Sequence, residues 1–181
     1  MRIITGTAKG RRLREPKNYD IRPTTDMVKE AIFSIVQFDV EGRRVLDLFG
    51  GTGQLGLEAA SRGAAEVVIT DSSRESIKLI RENAAHCALD VKIVQTDAIG
   101  WLARCGRFDL IFIDPPYDSP LAEKSLKTIK EFDILSEGGI IICETRCEKS
   151  LPELEPPYKK GREYRYGKVK LTAYSKEAMT C

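Results

Sequence analysis

The sequence is poor in the residues that build metal sites, disulfide frameworks and membrane spans. Among its 181 residues there is one histidine, His86, and the five cysteines lie scattered without a Cys-x-x-Cys pair. We therefore expect reduced thiols and no metal. Purely apolar runs such as Leu110–Ile113 fall far short of the roughly 20 residues that span a membrane. Lys9 also interrupts any signal-peptide core, so the sequence predicts a cytoplasmic protein.

The net charge is only +2, but basic residues are concentrated at the two ends of the chain. Most of the charged residues in segments 1–22 and 159–170 are basic. Tyr158 directly precedes the second segment, and further tyrosines lie among its basic residues. Clustered basic side chains with interleaved tyrosines suit contact with phosphates and stacking on bases. The alternative is a pair of solvated loops or edge strands.

From residue 44 onward, short apolar segments alternate with helical patterns. Strands are predicted at 45–49, 67–70, 91–95, 108–114 and 140–144, with a final pair at 163–166 and 169–174. Helices are predicted between them, after a hairpin over 2–14 and a helix capped by Thr24 or Thr25. The fold class is therefore α/β, a mostly parallel Rossmann-like sheet with helices on both faces and an antiparallel C-terminal edge. We divide the chain into a basic N-terminal hairpin or arm (1–22) and one domain (23–181).

A glycine-rich turn follows the first strand of this alternation. Gly51, Gly53 and Gly56 match G-x-G-x-x-G between a strand and a helix, and Asp71 ends the next strand. This is formally the dinucleotide fingerprint, with the acid placed for ribose hydroxyls. The spacing alone therefore predicts a nucleotide-like ligand.

The acids around this turn bear on which ligand it holds. Asp47 lies three residues before Gly50, where it would repel a pyrophosphate but suits the cationic amino-acid part of S-adenosylmethionine. Asp97, after the third strand, is placed to accept from an adenine amino group or simply to cap a helix. A sulfonium donor fits these acids better than NAD, and an NAD-dependent oxidoreductase remains the alternative.

The run Asp114-Pro115-Pro116-Tyr117 ends the fourth strand of the alternation. Two consecutive prolines stop and stiffen the backbone, and they hold a carboxylate and an aromatic ring where open α/β sheets bind ligands. An acid, a rigid carbonyl and a ring in that place can grip a planar group that carries an amino nitrogen. The run therefore indicates chemistry on a nucleobase or an amide.

Over nearly its whole length the sequence resembles the RsmD family, bacterial class I S-adenosylmethionine-dependent methyltransferases that act on the exocyclic N2 of a guanine in 16S ribosomal RNA. The resemblance is carried by Met1–Gly6, Lys9–Leu13, Arg22–Asp26, Lys29–Phe33, Asp47–Gly53, Leu55–Ala59, Ser61–Ala64, Asp114–Tyr117 and Arg165–Gly167. Arg22–Asp26 and Arg165–Gly167 are the most specific of these segments. The family usually has alanine where Gly50 stands and often glutamate where Asp71 stands, and neither change threatens activity.

The resemblance implies a role for each matching residue and no metal. The donor, with S-adenosylhomocysteine as product, would be held by Asp47, Phe49, Gly50, Gly51, Gly53, Asp71, Ser72, Asp97 and Ala98. The catalytic group would be Asp114, Pro115, Pro116 and Tyr117. In it, Asp114 and the Pro115 carbonyl accept from the target amino group and Tyr117 stacks on a flipped base. The RNA would be bound by Arg11, Arg12, Arg22, Thr24, Arg165 and Tyr166.

The implied partner is 16S ribosomal RNA, free or within an assembled or assembling 30S subunit, and we expect a monomer that does not bind a membrane. Other classes remain open. An adenine-N6 or protein-glutamine methyltransferase commonly has asparagine where Asp114 stands and carries an added recognition domain. A non-catalytic RNA-binding module would have no need of the Asp-Pro-Pro-Tyr run.

Overall fold

In the part of the chain that the structure describes, seven strands and five helices follow one another in the order that the sequence pattern predicts. The computed structural model of the protein describes residues 1–16 and 25–178. The strands are β1 (Arg44–Asp47), β2 (Glu66–Asp71), β3 (Lys92–Gln95), β4 (Phe108–Ile113), β5 (Leu135–Arg146), β6 (Tyr158–Tyr166) and β7 (Val169–Lys176). The helices are α1 (Asp26–Ile35), α2 (Gln54–Ser61), α3 (Arg74–Cys87), α4 (Ala98–Leu102) and α5 (Leu121–Glu131). No helix within the described ranges is long and apolar enough to cross a membrane.

The strands form a single sheet in the order β3-β2-β1-β4-β5-β7-β6. Strands β1 to β5 pair in parallel, and β7 joins β5 and β6 in antiparallel fashion. This confirms the predicted fold class. The chain proceeds from β1 outward to β2 and β3, and then returns to place β4 on the other side of β1. The carboxyl ends of β1 and β4 therefore form the topological switch point where such sheets bind ligands.

The two faces of the sheet are covered by separate apolar cores. On one face α1 and α3 pack over the strands, and the rings of Phe33 and Phe112 meet edge to face with centroids 5.5 Å apart. On the other face α4 and α5 pack against Ile111 and Ile113 of β4. Strand β4 is buried on both sides as a consequence, which explains its uninterrupted apolar sequence.

Side chains at three helix starts accept hydrogen bonds from the first turn. The hydroxyls of Thr25 and Ser73 accept from backbone amides of α1 and α3, and the carboxylate of Asp97 does the same for α4. Thr25 is thus one of the two predicted caps of α1. The other, Thr24, lies outside the described residues, as does Arg22.

The N-terminal segment 1–16 lies against the sheet domain. An antiparallel bridge joins Arg2 to Arg12, as the predicted hairpin requires, and Ile3 and Leu13 are buried in the same core as α1 and α3. The boundary predicted between arm and domain falls among residues that the structure does not describe, so that division stays a prediction.

Candidate active site

Three carboxylates lie close together at the topological switch point. Asp47 ends β1, and the sheet register places it opposite Ile69 of β2 and Phe112 of β4. Asp71 ends β2 and Asp114 directly follows β4, each two residues beyond the residue that pairs with Asp47. The charges of both acids add to the raised pKa of Asp47.

Asp47 is a buried carboxyl group with one oxygen unsatisfied. Its side chain is 1% exposed, Oδ2 accepts from the Gly56 amide at 2.9 Å, and Oδ1 has no hydrogen-bond partner. Burial raises the pKa of Asp47 to about 7, and the nearby acids add to the shift while the Gly56 bond opposes it. An ammonium group at Oδ1 would supply the missing hydrogen bonds and favour the ionised form. The arrangement therefore fits the amino group of an amino-acid moiety.

The glycine turn between β1 and α2 is tied to the end of β2. Gly51 and Gly53 adopt the left-handed conformation, with φ of 55° and 80°, which favours glycine. The Gly51 amide donates to Asp71 Oδ2 at 2.9 Å, and the Gly50 amide donates to the Thr70 carbonyl at 2.8 Å. Asp71 thus fixes the turn, and its oxygens retain lone pairs for ribose hydroxyls.

Gly50, where the family usually has alanine, lies under a neighbouring side chain. A Cβ built on Gly50 would lie 2.4 Å from Cγ2 of Ile69. An alanine could enter only if Ile69 shifted, so the glycine makes room for this isoleucine on β2.

The other residues predicted to bind the methyl donor lie at the ends of β1, β2 and β3. Asp97 is exposed and caps α4, with Oδ2 accepting from the Gly100 amide at 2.7 Å, so the simple capping role is present. Ala98 is nearly buried behind it. Ser72 is exposed at the end of β2, and Phe49 is half-buried after β1. The sheet thus brings all the residues predicted to bind the methyl donor to the carboxyl ends of its strands.

The Asp-Pro-Pro-Tyr run leaves β4 in a tight, hydrogen-bonded turn. Asp114 is partly exposed, Pro115 is buried and Pro116 is exposed. The Pro116 carbonyl accepts from the Ser119 amide at 3.1 Å and from its hydroxyl at 2.6 Å. The turn directs the chain away from the sheet, and it leaves Asp114 at the edge next to Asp47.

The ring of Tyr117 is fixed by two residues of β5. Its hydroxyl donates to Glu144 Oε1 at 2.6 Å, and the guanidinium carbon of Arg146 lies 5.4 Å from the ring centre. Glu144 is 2% exposed and directly follows Cys143, the partner of Ile113 in the sheet. Sequence reasoning missed Glu144, although a charged residue at the end of an apolar strand is a detectable signal.

The predicted RNA-binding residues lie in two places. Arg11 and Arg12 are exposed on the N-terminal segment, and Arg11 Nη1 donates to the His86 carbonyl at 2.6 Å. Arg165 is exposed and Tyr166 half-buried on β6.

The C-terminal basic segment presents fewer free groups than its composition suggests. Lys160 and Lys170 form ion pairs with Glu163 at 3.4 and 3.2 Å, and Lys170 is 4% exposed. Tyr158 is buried, and its hydroxyl bonds to the Ile129 carbonyl and to Asp133. Tyr158 is thus unavailable for stacking, which corrects the expectation from its position among basic residues.

Comparison with known proteins identifies the family. Residues 1–175 match the family described as conserved hypothetical protein 95. The chain is 35% identical to YlbH of Bacillus subtilis (strain 168), which is named as an rRNA methyltransferase, with 97% of this chain and 99% of that protein covered. It is 33% identical to ribosomal RNA small subunit methyltransferase D of Escherichia coli (strain K12), with 98% and 91% covered.

The fold comparison agrees with these relatives. The solved structure of Escherichia coli yhhF, named as a methyltransferase, superposes with a TM-score of 0.88 at 30% identity, and 99% of each chain is covered. An oxidoreductase or a non-catalytic module no longer fits relatives of this kind. With a family model that matches residues 1–175 and relatives matched over nearly the full length, the chain belongs to the RsmD family and is a methyltransferase.

Proposed function

We propose that the protein transfers a methyl group from S-adenosylmethionine to the exocyclic N2 of a guanine in 16S ribosomal RNA. One observation carries the proposal. At one sheet edge, Asp47, a buried acid with an unsatisfied oxygen, lies beside Asp114, which begins the Asp-Pro-Pro-Tyr turn. The names of YlbH and of methyltransferase D, which specify ribosomal RNA, support the substrate class.

The acids of β1, β2 and β3 would hold the donor. When bound, S-adenosylmethionine supplies a methyl group activated by a sulfonium. The unsatisfied Oδ1 of Asp47 fits its ammonium group, Asp71 would accept from its ribose hydroxyls, and Asp97 from its adenine. This order follows the strand order β1-β2-β3, so the nucleoside would lie along the sheet edge.

The Asp114 carboxylate and the Pro115 carbonyl would orient the target nitrogen. The lone pair of a guanine amino group is delocalised into the ring, so the nitrogen is a poor nucleophile. Two acceptors that each accept a hydrogen bond from one N–H group favour a pyramidal nitrogen with its lone pair directed at the methyl carbon. The main contributions are then alignment and electrostatics.

The proton leaves after the new bond forms. Transfer of the methyl group from the sulfonium to the nitrogen would leave the methylated nitrogen with one proton too many. Asp114 already accepts that N–H and can take the proton or pass it to solvent.

The target base would enter the site in an unstacked state. A base within a helix cannot reach the turn after β4, so it must flip out or already be single-stranded. Tyr117 offers a ring for it to stack on, and the bond from its hydroxyl to Glu144 keeps that ring from turning away. Exposed basic residues, with Arg11 and Arg12 among them, would hold the backbone without reading sequence. The proposal covers 16S ribosomal RNA that is free in the cytoplasm and the same RNA within a 30S particle.

Replacing Asp114 with alanine tests this assignment. We expect methyl transfer to unmethylated 16S ribosomal RNA to fall by about 100-fold or more, while S-adenosylhomocysteine still binds. The measurement is the N2-methylguanosine content of the digested RNA by mass spectrometry, alongside calorimetric titration of S-adenosylhomocysteine.

Asp109→Ala is the matched control for this substitution. Asp109 is an acid near the start of β4, at the strand end opposite to Asp114, and it accepts a hydrogen bond from the Arg44 amide. Its variant should transfer within about twofold of wild type at a temperature where both are folded. Transfer by Asp114→Ala near the wild-type rate would remove Asp114 from the site, and methylated adenine in place of guanine would replace the proposed substrate.

A further inference from the structure

One buried side chain joins the N-terminal segment to the donor turn. Asn83 on α3 is fully buried, and its Nδ2 donates to the Thr52 carbonyl at 2.9 Å and to the Arg14 carbonyl at 3.2 Å. Its Oδ1 accepts from the Arg14 amide at 2.8 Å. Thr52 lies between Gly51 and Gly53 in the turn assigned to the donor.

The same turn residue contacts the N-terminal segment at a second point. The Thr52 hydroxyl lies 3.3 Å from Sδ of Met1, and the Met1 carbonyl accepts from the Leu13 amide at 3.2 Å. Thr52 is 4% exposed. The segment 1–16 thus contacts the side chain of the central turn residue through Met1, and it reaches the backbone of that residue through Asn83.

Other buried contacts hold this segment to α2 without reaching the turn. Glu58 accepts from the Ile4 and Thr5 amides at 2.7 and 3.0 Å. The Ser61 hydroxyl accepts from the Ala8 amide at 2.9 Å and donates to the Thr5 carbonyl at 2.6 Å. Glu58 and Ser61 therefore hold the segment without touching the turn, whereas Asn83 contacts both.

We propose that Asn83 is a positioning residue that couples docking of the segment 1–16 to the shape of the donor turn. The turn contains two left-handed glycines, which resist distortion weakly, so an external hold on Thr52 limits the conformations it samples. Arg11 and Arg12 are carried by the docked segment, so RNA bound there favours the turn that binds the donor. This coupling rests on the proposed function, whereas the effect of Asn83 on the donor turn does not.

Donor affinity without RNA tests the effect on the turn. Asn83→Asp keeps an acceptor for the Arg14 amide but removes both donated hydrogen bonds. We expect the dissociation constant of S-adenosylhomocysteine to rise about tenfold in calorimetric titration. Ser61→Ala, which also loses buried contacts to the segment, should bind within about twofold of wild type. If Asn83→Asp fails to fold, Asn83→Ala replaces it in the same comparison.

The coupling is tested by titrating RNA with and without the product. In wild type we expect saturating S-adenosylhomocysteine to tighten binding of a 16S ribosomal RNA fragment at least threefold, and the RNA to tighten the product by the same factor. Asn83→Asp should reduce that factor to about one, and Ser61→Ala should preserve it. The KM for S-adenosylmethionine should rise in Asn83→Asp with kcat within twofold.

Distinct results would overturn each part. Equal product affinity in wild type and Asn83→Asp, or an equal loss in Ser61→Ala, would remove the positioning role. Independent binding of RNA and product in wild type would remove the coupling. Wild type that binds product but no RNA would overturn the proposed function and the coupling, while the comparison of Asn83 with Ser61 would still decide the positioning role.

Discussion

At the scale of single residues, the buried carboxyl group of Asp47 destabilises the fold when it is ionised. Its carboxyl group lies in the apolar end of β1, and burial raises its pKa to about 7. The folded protein therefore binds a proton on Asp47 that the unfolded chain releases near its ordinary pKa of 3.8. By linkage, the contribution of Asp47 to folding stability falls as the pH rises from about 4 to about 7. A residue that weakens the fold at neutral pH is consistent with the proposed role of Asp47 in binding the ammonium group of the donor.

Asp47→Asn should therefore be more stable than wild type at pH 8 and similar at pH 4. Asparagine keeps an acceptor for the Gly56 amide but has no charge to bury. We expect the free energy of unfolding to rise by roughly 1–3 kcal/mol above pH 7. The upper bound is about 1.4 kcal/mol multiplied by the number of units by which burial raises the pKa of Asp47. Urea unfolding at several pH values measures it. The same variant should bind S-adenosylhomocysteine at least tenfold more weakly, and a gain that did not depend on pH would contradict the burial argument.

At the scale of elements, the N-terminal segment has one buried and one basic side. Ile3 and Leu13 pack in the core, while Arg11 and Arg12 are exposed. A charged surface on a firmly docked element presents its charges in a fixed position. Under the proposed function, such a segment would hold an RNA backbone in a fixed position relative to the sheet.

Replacing Arg11 and Arg12 together with glutamate should weaken RNA binding at least tenfold, because phosphate contacts become repulsions. Filter binding to a 16S ribosomal RNA fragment at fixed salt measures this, with S-adenosylhomocysteine affinity as a check on the donor site. Lys92→Glu with Arg104→Glu makes the same charge change on exposed residues outside both basic segments. Equal losses in both double variants would mean that only net charge matters.

The elements themselves were largely predictable from the sequence, because caps and apolar periodicity are local. Two strand bounds were not. β5 begins at Leu135 instead of Ile140 because Gly138, with φ of 69°, is part of an irregularity in the pairing with β4. A glycine pair reads as a break in the sequence, yet here it only shifts the register. β6 begins at Tyr158 although its first half lacks apolar alternation, because it pairs on one side only.

The site was predictable only where it lies directly at strand ends. Asp47, Asp71, Asp97 and Asp114 follow from strand order, and each lies at the shared edge. Glu144 and Asn83 act through contacts 27 and 31 residues away in sequence. Local patterns carry no information on such pairs, although a polar residue beside an apolar helix stripe or strand marks them for attention.

At the scale of the whole molecule, the order of the strands places donor and acceptor groups side by side. The acids proposed to hold the donor lie at the ends of β1 and β2 and after β3, and Asp114 follows β4 on the other side of the switch point. A ligand that spans β1 to β3 contacts several elements at once, so its binding should stabilise the entire fold.

S-adenosylhomocysteine should raise the melting temperature, and NAD at the same concentration should not. At about 100 times its dissociation constant, a ligand adds roughly 2.7 kcal/mol to folding stability. For a chain of this length that corresponds to about 5–10 °C. Differential scanning fluorimetry measures both ligands. Equal shifts would favour the dinucleotide interpretation of the glycine turn.

Strand β6 has a consequence for the behaviour of the protein in solution. It is the outermost strand on one side of the sheet. Its side chains Lys159, Arg162 and Arg165 are exposed, and its pairing with β7 shifts register between Lys160 and Glu163. Charge and irregular pairing on an outer strand hinder the addition of a strand from another molecule. The basic residues there therefore protect against aggregation whether or not they bind RNA, and neutralising them to map an RNA surface would also remove that protection.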